Sequence, residues 1–162
     1  RPLWCVITSA MIKLAKLTDY AFVVMSYFYL AGKNDILTAK FVSERSLIPL
    51  PTVSKILKVL SKKGFLEAKR GVNGGYQISA SGKLASIAEM IEAFEGPIAL
   101  TDCSVPGVKI GSSKRCLAKE RCLNVKHWVW ITKSIVKVLS SIPLAKMYTN
   151  IAEDDSEWCR GD

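Results

Sequence analysis

Residues 50–79 run LPTVSKILKVLSKKGFLEAKRGVNGGYQIS, and this stretch limits the possible folds more than any other. Val53, Ile56, Leu57 and Leu60 recur at helical spacing and form one apolar stripe, with Pro51 suited to a first helical position and Gly64 to the stop. Immediately beyond, Phe65–Ala68 and Tyr76–Ser79 read as two short strands. The intervening Lys69–Gly75 is a basic, glycine-rich turn in which Asn73-Gly74-Gly75 supplies positive φ for a tight hairpin. Upstream, Thr38 caps a short helix, TAKFVSERS, which stops before Leu47-Ile48-Pro49-Leu50. Two short helices joined by about four residues are a helix-turn-helix. With the basic hairpin behind them they become a winged helix, so the expected class is mainly α with a small β-hairpin wing.

The remaining segments arrange themselves around that unit. Leu17–Leu30 reads as a nearly all-apolar helix with Thr18 as its cap, Asp19 in its first turn and Gly32 ending it. Ser86 and Glu89 have the spacing of a capping box, and Gly96-Pro97 closes the helix they open. A loop of about 25 residues follows, longer than compact domains usually leave without a binding role. Trp128, Ile131, Ile135, Val138 and Ile142 then mark a long amphipathic helix ending at Pro143. Its stripe is longer than a small domain needs, which suggests a subunit interface; packing back onto the winged unit is the alternative, and the two are compatible. The expected organisation is therefore an N-terminal extension over 1–10, with Met11 a candidate start, then a winged helix-turn-helix over 11–96. A cysteine-bearing loop over 97–124, a dimerisation helix with its following turn over 125–147, and an acidic, disordered tail over 148–162 complete it.

Charge narrows the partner. The formal net charge is +9, and residues 97–152 carry nine Lys/Arg against two Asp/Glu, whereas 153–162 hold five acids against Arg160. A basic body points to a polyanion. The longest apolar-rich stretch, Ala21–Ala31, is too short to span a bilayer, and residues 1–10 lack the pattern of an export signal, so the cytoplasm is the expected compartment and no membrane partner is expected. A Gly-rich phosphate loop, a Cys/His dyad and paired carboxylates are all missing from the sequence, which argues against an enzyme and a small-molecule substrate.

Double-stranded DNA fits the charged face of the 50–62 helix. Thr52, Ser54, Lys55, Lys58 and Lys62 lie opposite its apolar stripe, hydroxyls first and ammonium groups further along. This suits a helix entering the major groove by its N-terminal end, with Ser54 and Lys55 toward base edges and Lys58, Lys62 and Lys63 toward phosphates. In the wing, Lys69, Arg70, Asn73 and Gly74 combine charge with close backbone approach, and Arg70 suits a narrow minor groove.

Five cysteines in a basic chain without export signals favour metal or redox chemistry over a disulfide framework. Cys103, Cys116 and Cys122 are separated by 12 and 5 residues within the loop, without the C-x-x-C knuckles of structural zinc. Soft thiolates on a flexible loop suit an iron–sulfur cluster, and the surrounding Lys109, Lys114, Arg115, Lys119 and Arg121 favour the thiolate forms. A fourth ligand is needed, and His127, Asp19 and Glu120 are the candidates. Cys5 and Cys159, near the two ends, receive no role.

KLTDYA at 16–21, LPTVSKILKVLSKKGFLEAKRGVNGGY at 50–76 and IEAFEGPIALTDCS at 91–104 resemble the Rrf-type winged-helix regulators that include IscR and NsrR. Their wording is most similar to that of the regulators of SUF-type iron–sulfur assembly. The resemblance implies a homodimer with a long helix crossing to the partner, and a cluster, 2Fe–2S in preference to 4Fe–4S, on Cys103, Cys116 and Cys122. It also implies a repressor acting at promoters of iron–sulfur assembly genes, with Arg70 as the wing arginine. Asp19 matches an aspartate that NsrR-like members use. The histidine of IscR-like members falls near Val125, two residues before His127, and Ser54 stands where they have a base-reading glutamate. Two alternatives stay open: a nitric-oxide or redox-responsive regulator using the same cysteines, and a metal-free winged-helix interaction module.

Overall fold

A computed structural model of the chain describes residues 13–31, 35–71, 74–106 and 122–149. The first helix, α1 (Lys16–Leu30), places Ala21, Val24, Met25 and Phe28 at the centre of the molecule, all essentially inaccessible. Against it pack α2 (Ala39–Ser46) and α3 (Leu50–Lys62), contributing Val42 and the stripe Val53, Ile56, Leu57 and Leu60. Each such buried aliphatic side chain contributes about 1.5–3 kcal/mol, and Phe65, Leu66, Ile78, Met90 and Leu144 complete the same core. Thr38 caps α2 as its sequence suggests, its hydroxyl accepting the Phe41 N–H at 3.1 Å.

α1 departs from expectation at its start. It begins one residue earlier, Ala15 occupies the cap without a side-chain bond, and the Ala15 N–H donates instead to Glu95 Oε1 at 2.8 Å. Thr18 is therefore inside the first turn, fully buried, with its hydroxyl unpartnered. No hydroxyl serves the first-turn N–H groups, and Glu95 instead ties the cap residue to α5.

Strands β1 (Leu66–Lys69) and β2 (Gly75–Ile78) pair antiparallel, Leu66 opposite Ile78 and Lys69 opposite Gly75. β1 starts one residue later than its sequence suggests and β2 one residue earlier. Positive φ falls on Gly71, not on Gly74 or Gly75; Asn73 lies outside the described residues. The latter two glycines are required for close approach: a Cβ on Gly74 would meet the Lys69 carbonyl oxygen at 2.6 Å, and one on Gly75 the Leu37 oxygen at 2.7 Å. Leu37 exchanges both backbone hydrogen bonds with Tyr76, adding a one-residue third rung that anchors the wing to the segment before α2.

Ser79 ends the wing by capping a short helix, α4 (Ala80–Leu84), which the strand reading of Tyr76–Ser79 did not anticipate. Gly82 lies directly over the Phe65 carbonyl, where no side chain fits. α5 (Ile87–Glu95) opens with the expected capping box, Ser86 and Glu89 each bonding the other's backbone N–H, and closes at Gly96 with φ 85°. After a 3-10 turn at Asp102–Ser104 and the segment outside the described residues comes α6 (Val125–Ser141). Two backbone hydrogen bonds then clasp the chain back to the winged unit: Ile87 N–H to Ile142 O at 3.0 Å, and Leu144 N–H to Ala85 O at 2.8 Å. The final helix α7 (Leu144–Thr149) packs on α1 and α4. Tyr148, which the sequence reading places in the tail, is held there by its hydroxyl donating to Phe22 O at 2.9 Å and by its ring stacking on Tyr29.

Candidate nucleic-acid interface and cysteine loop

The helix-turn-helix corner is made at Leu47, whose left-handed φ of 59° turns the chain from α2 into α3. Burial of the Val53/Ile56/Leu57/Leu60 stripe fixes the rotation of α3, so its other face projects outward. Lys55, Lys58, Lys62 and Lys63 are exposed there, and Thr52 and Ser54 are half-buried on its flanks. Lys69 and Arg70 are exposed at the base of the wing and Gly74 is half-buried beside them. Lys69 is paired with Glu67 across 3.3 Å, which offsets part of its charge. Arg70 has no such neighbour in β1 or β2. Lys63 shares a concavity with Glu89 and Glu92, so the less opposed cations are Lys55, Lys58 and Lys62 of α3 and Arg70 of the wing.

Cys103 sits on the 3-10 turn, which packs against α6. Its Sγ lies 3.2 Å from the Thr101 hydroxyl, and Thr101 and Ser104 cap the turn reciprocally. Sequence reasoning overlooked Thr101, although its position two residues before Cys103 was the available signal. Cys122 stands three residues before α6, so the two thiols bracket the segment that carries Cys116, itself outside the described residues along with Glu120. Both described thiols are half-buried and free of disulfides. Soft sulfur donors, that of Cys103 beside the Thr101 hydroxyl, are of the kind that suits a thiophilic iron centre. Asp19 is exposed on the first turn of α1, and His127 is exposed on the side of α6 away from the buried Val125. Among the described residues no three His, Cys, Asp or Glu side chains come together as a metal site. A single subunit therefore does not assemble Asp19 or His127 with Cys103 and Cys122.

The profile of the Rrf2 family, described as an iron-dependent transcriptional regulator, matches residues 14–150. The chain belongs to the Rrf2 family. A putative HTH-type transcriptional regulator of Azotobacter vinelandii, ORF2, is 28% identical over 128 residues, covering 79% of this chain and 74% of that protein. The regulator NsrR of Bacillus licheniformis is 27% identical over 115 residues, 71% of this chain and 76% of NsrR. Among solved structures, T. potens IscR superposes with a TM-score of 0.59 at 24% identity, covering 84% of this chain and 85% of IscR, a likeness of fold. As an Rrf2 protein the chain is a DNA-binding transcription regulator of IscR/NsrR type, not an enzyme. No helix among the described residues is long and apolar enough to cross a membrane.

In this Rrf2 fold α6 is only partly covered by its own subunit. Val125 and Thr132 are buried toward the 3-10 turn and α5, while Trp130 is 68% and Val138 58% exposed. Ile131, Ile135 and Ile142 are half-buried between them. The packing-back reading therefore describes one side of this helix, and an apolar side remains uncovered.

Proposed function

We propose that this regulator is a homodimeric repressor of iron–sulfur cluster assembly genes that senses cluster status through a cluster on Cys103, Cys116 and Cys122. The observation that carries the reading is the joining of two surfaces by one helix. Free thiols stand at the Cys103 turn and just before α6, and α6 runs from them to the clasp on the α4–α5 corner behind the wing. The apolar side of α6 would bury against the partner subunit, as the IscR/NsrR resemblance implies. A 2Fe–2S cluster is preferred over 4Fe–4S, with Asp19 ahead of His127 as fourth ligand; Asp19 is exposed and, among the described residues, joins no cluster of ligand side chains, which suits donation to the partner's site. Thr52, Ser54, Lys55, Lys58 and Lys62 of α3 and Lys69, Arg70, Asn73 and Gly74 of the wing are assigned to promoter DNA. The cluster supplies an oxygen- and iron-sensitive anchor, and its presence changes the order of the loop and so the relative population of wing spacings in the dimer.

The test is a visible spectrum with iron and acid-labile sulfide assays on protein purified without oxygen, followed by operator titrations with holo and apo protein. Matching iron and sulfide, loss of colour in Cys116→Ala with the secondary structure retained, and tighter operator binding by the holo form are expected. Colourless protein after reconstitution would remove cluster sensing and leave a DNA-binding regulator that answers to another signal.

A further inference from the structure

The leading end of α3 differs chemically from the rest of its outer face. Pro51 stands four residues before Lys55 and eleven before Lys62, so it lies in line with them on the outward side, and it is exposed. Leu50 beside it is 44% exposed, although Val53 and Ile56 just behind are inaccessible. This first turn is also poor in hydrogen-bond donors. Pro51 has no N–H, and the N–H groups of Thr52 and Val53 both donate to the Pro49 carbonyl at 2.9 and 3.1 Å. The backbone of the turn that reaches a groove first is therefore poor in donors, and its exposed side chains are the apolar Leu50 and Pro51, with the Thr52 hydroxyl half-buried beside them.

Such a surface discriminates among base pairs by what it leaves unpaired. Against the major-groove edge of guanine, adenine or cytosine, Leu50 and Pro51 would desolvate N7, O6 or an amino group without replacing its hydrogen bonds. The one apolar group on those edges is the C5-methyl of a pyrimidine, carried by thymine in unmodified DNA. We infer that Leu50 and Pro51 read a pyrimidine C5-methyl group in each half-site, one helical turn ahead of the bases and phosphates met by Lys55 and Lys58. The inference rests on α3 being the helix that enters the groove. It assigns specificity to two residues without polar side chains, at the position where hydroxyl and ammonium chemistry ends.

The experiment selects an operator from random duplex DNA with the full-length protein, then replaces each thymine in turn by deoxyuridine, which removes only the methyl group. One thymine per half-site is expected to show about a fourfold loss of affinity on replacement, the size of one methyl-sized group's burial. With Leu50→Ala, whose partly exposed side chain can be shortened without opening the core, the same replacement is expected to change affinity less than about 1.5-fold. Replacing operator cytosines by 5-methylcytosine separates the two sources: a gain with wild type that Leu50→Ala lacks would extend the contact to methylated cytosine. Absence of any deoxyuridine-sensitive position, or equal sensitivity in Leu50→Ala, overturns the methyl contact. If Lys55→Ala and Lys58→Ala also leave affinity unchanged, what fails is the placement of α3 in the groove, not the methyl contact alone.

Discussion

Hydroxyls withdrawn from water make two opposite demands on their surroundings. Thr18 is inaccessible and its oxygen has no partner, so it carries a desolvation cost without a compensating bond. Thr18→Val is accordingly expected to raise stability by about 1 kcal/mol, read as a higher denaturant midpoint at unchanged m-value. Were Thr18 the helix cap that its sequence context suggests, the same change would lower stability by about as much. Tyr148 and Tyr29 are half-buried phenols with their bonds made, to Phe22 O and Gly82 O. Burial pushes the Tyr29 hydroxyl up from 10.0 to about 12, and Tyr148 is raised by burial and then by the nearby Tyr29. Because the folded state keeps these protons where the unfolded chain releases them, their stabilisation is complete below about pH 10 and is lost as pH rises toward 12. A melting series from about pH 9 to 11.5 should fall more steeply for wild type than for Tyr29→Phe/Tyr148→Phe. Parallel curves would show that these two phenols do not govern the alkaline limb.

At the level of elements, the sequence was most informative where a local rule and the tertiary structure agree. Ser86 and Glu89 form their capping box, Thr38 caps α2, and the α3 stripe is the buried one. Ser86→Ala should therefore destabilise the fold by about 1 kcal/mol, seen as a drop in Tm of several degrees; an unchanged Tm would mean the box adds nothing beyond helix propensity. Where local and tertiary demands part, the sequence misleads. α1 begins ahead of Thr18, with Ala15 fixed by Glu95 across 80 residues, a contact that is invisible to local pattern. Gly74 and Gly75 look like positive-φ turn formers, yet they serve close backbone approach, Gly74 to Lys69 and Gly71 across the hairpin turn and Gly75 to the Leu37 rung. α4 was hidden since Ser79 both ends a strand pattern and caps five residues with little apolar periodicity.

For the whole molecule, the basic face was legible because burial of one side of α3 determines the other, whereas the metal-ligand set was legible only as a list. Cys103 and Cys122 are free, and among the described residues neither Asp19 nor His127 completes a group of three ligand side chains with them, so the fourth ligand of the proposed cluster is not legible from spacing within one chain. The uncovered side of α6 carries the molecular-scale prediction. Val138→Asp places a charge on that apolar surface and should shift the protein from dimer to monomer in sedimentation equilibrium while sparing the monomer's fold, since Val138 is 58% exposed in a single subunit. A dimer of unchanged strength would move the subunit interface away from α6. The clasp between Ala85–Ile87 and Ile142–Leu144 sets how such a helix can answer a change at its other end. At 17 residues α6 is roughly 25 Å long, pinned at one tip by two backbone bonds and adjoining the cysteines at the other. It is a beam on a pivot: with that tip held, a 2 Å displacement at the sulfur end becomes a tilt of roughly 5°, and two such beams leaning together would convert it into a change of angle between the paired DNA-reading units.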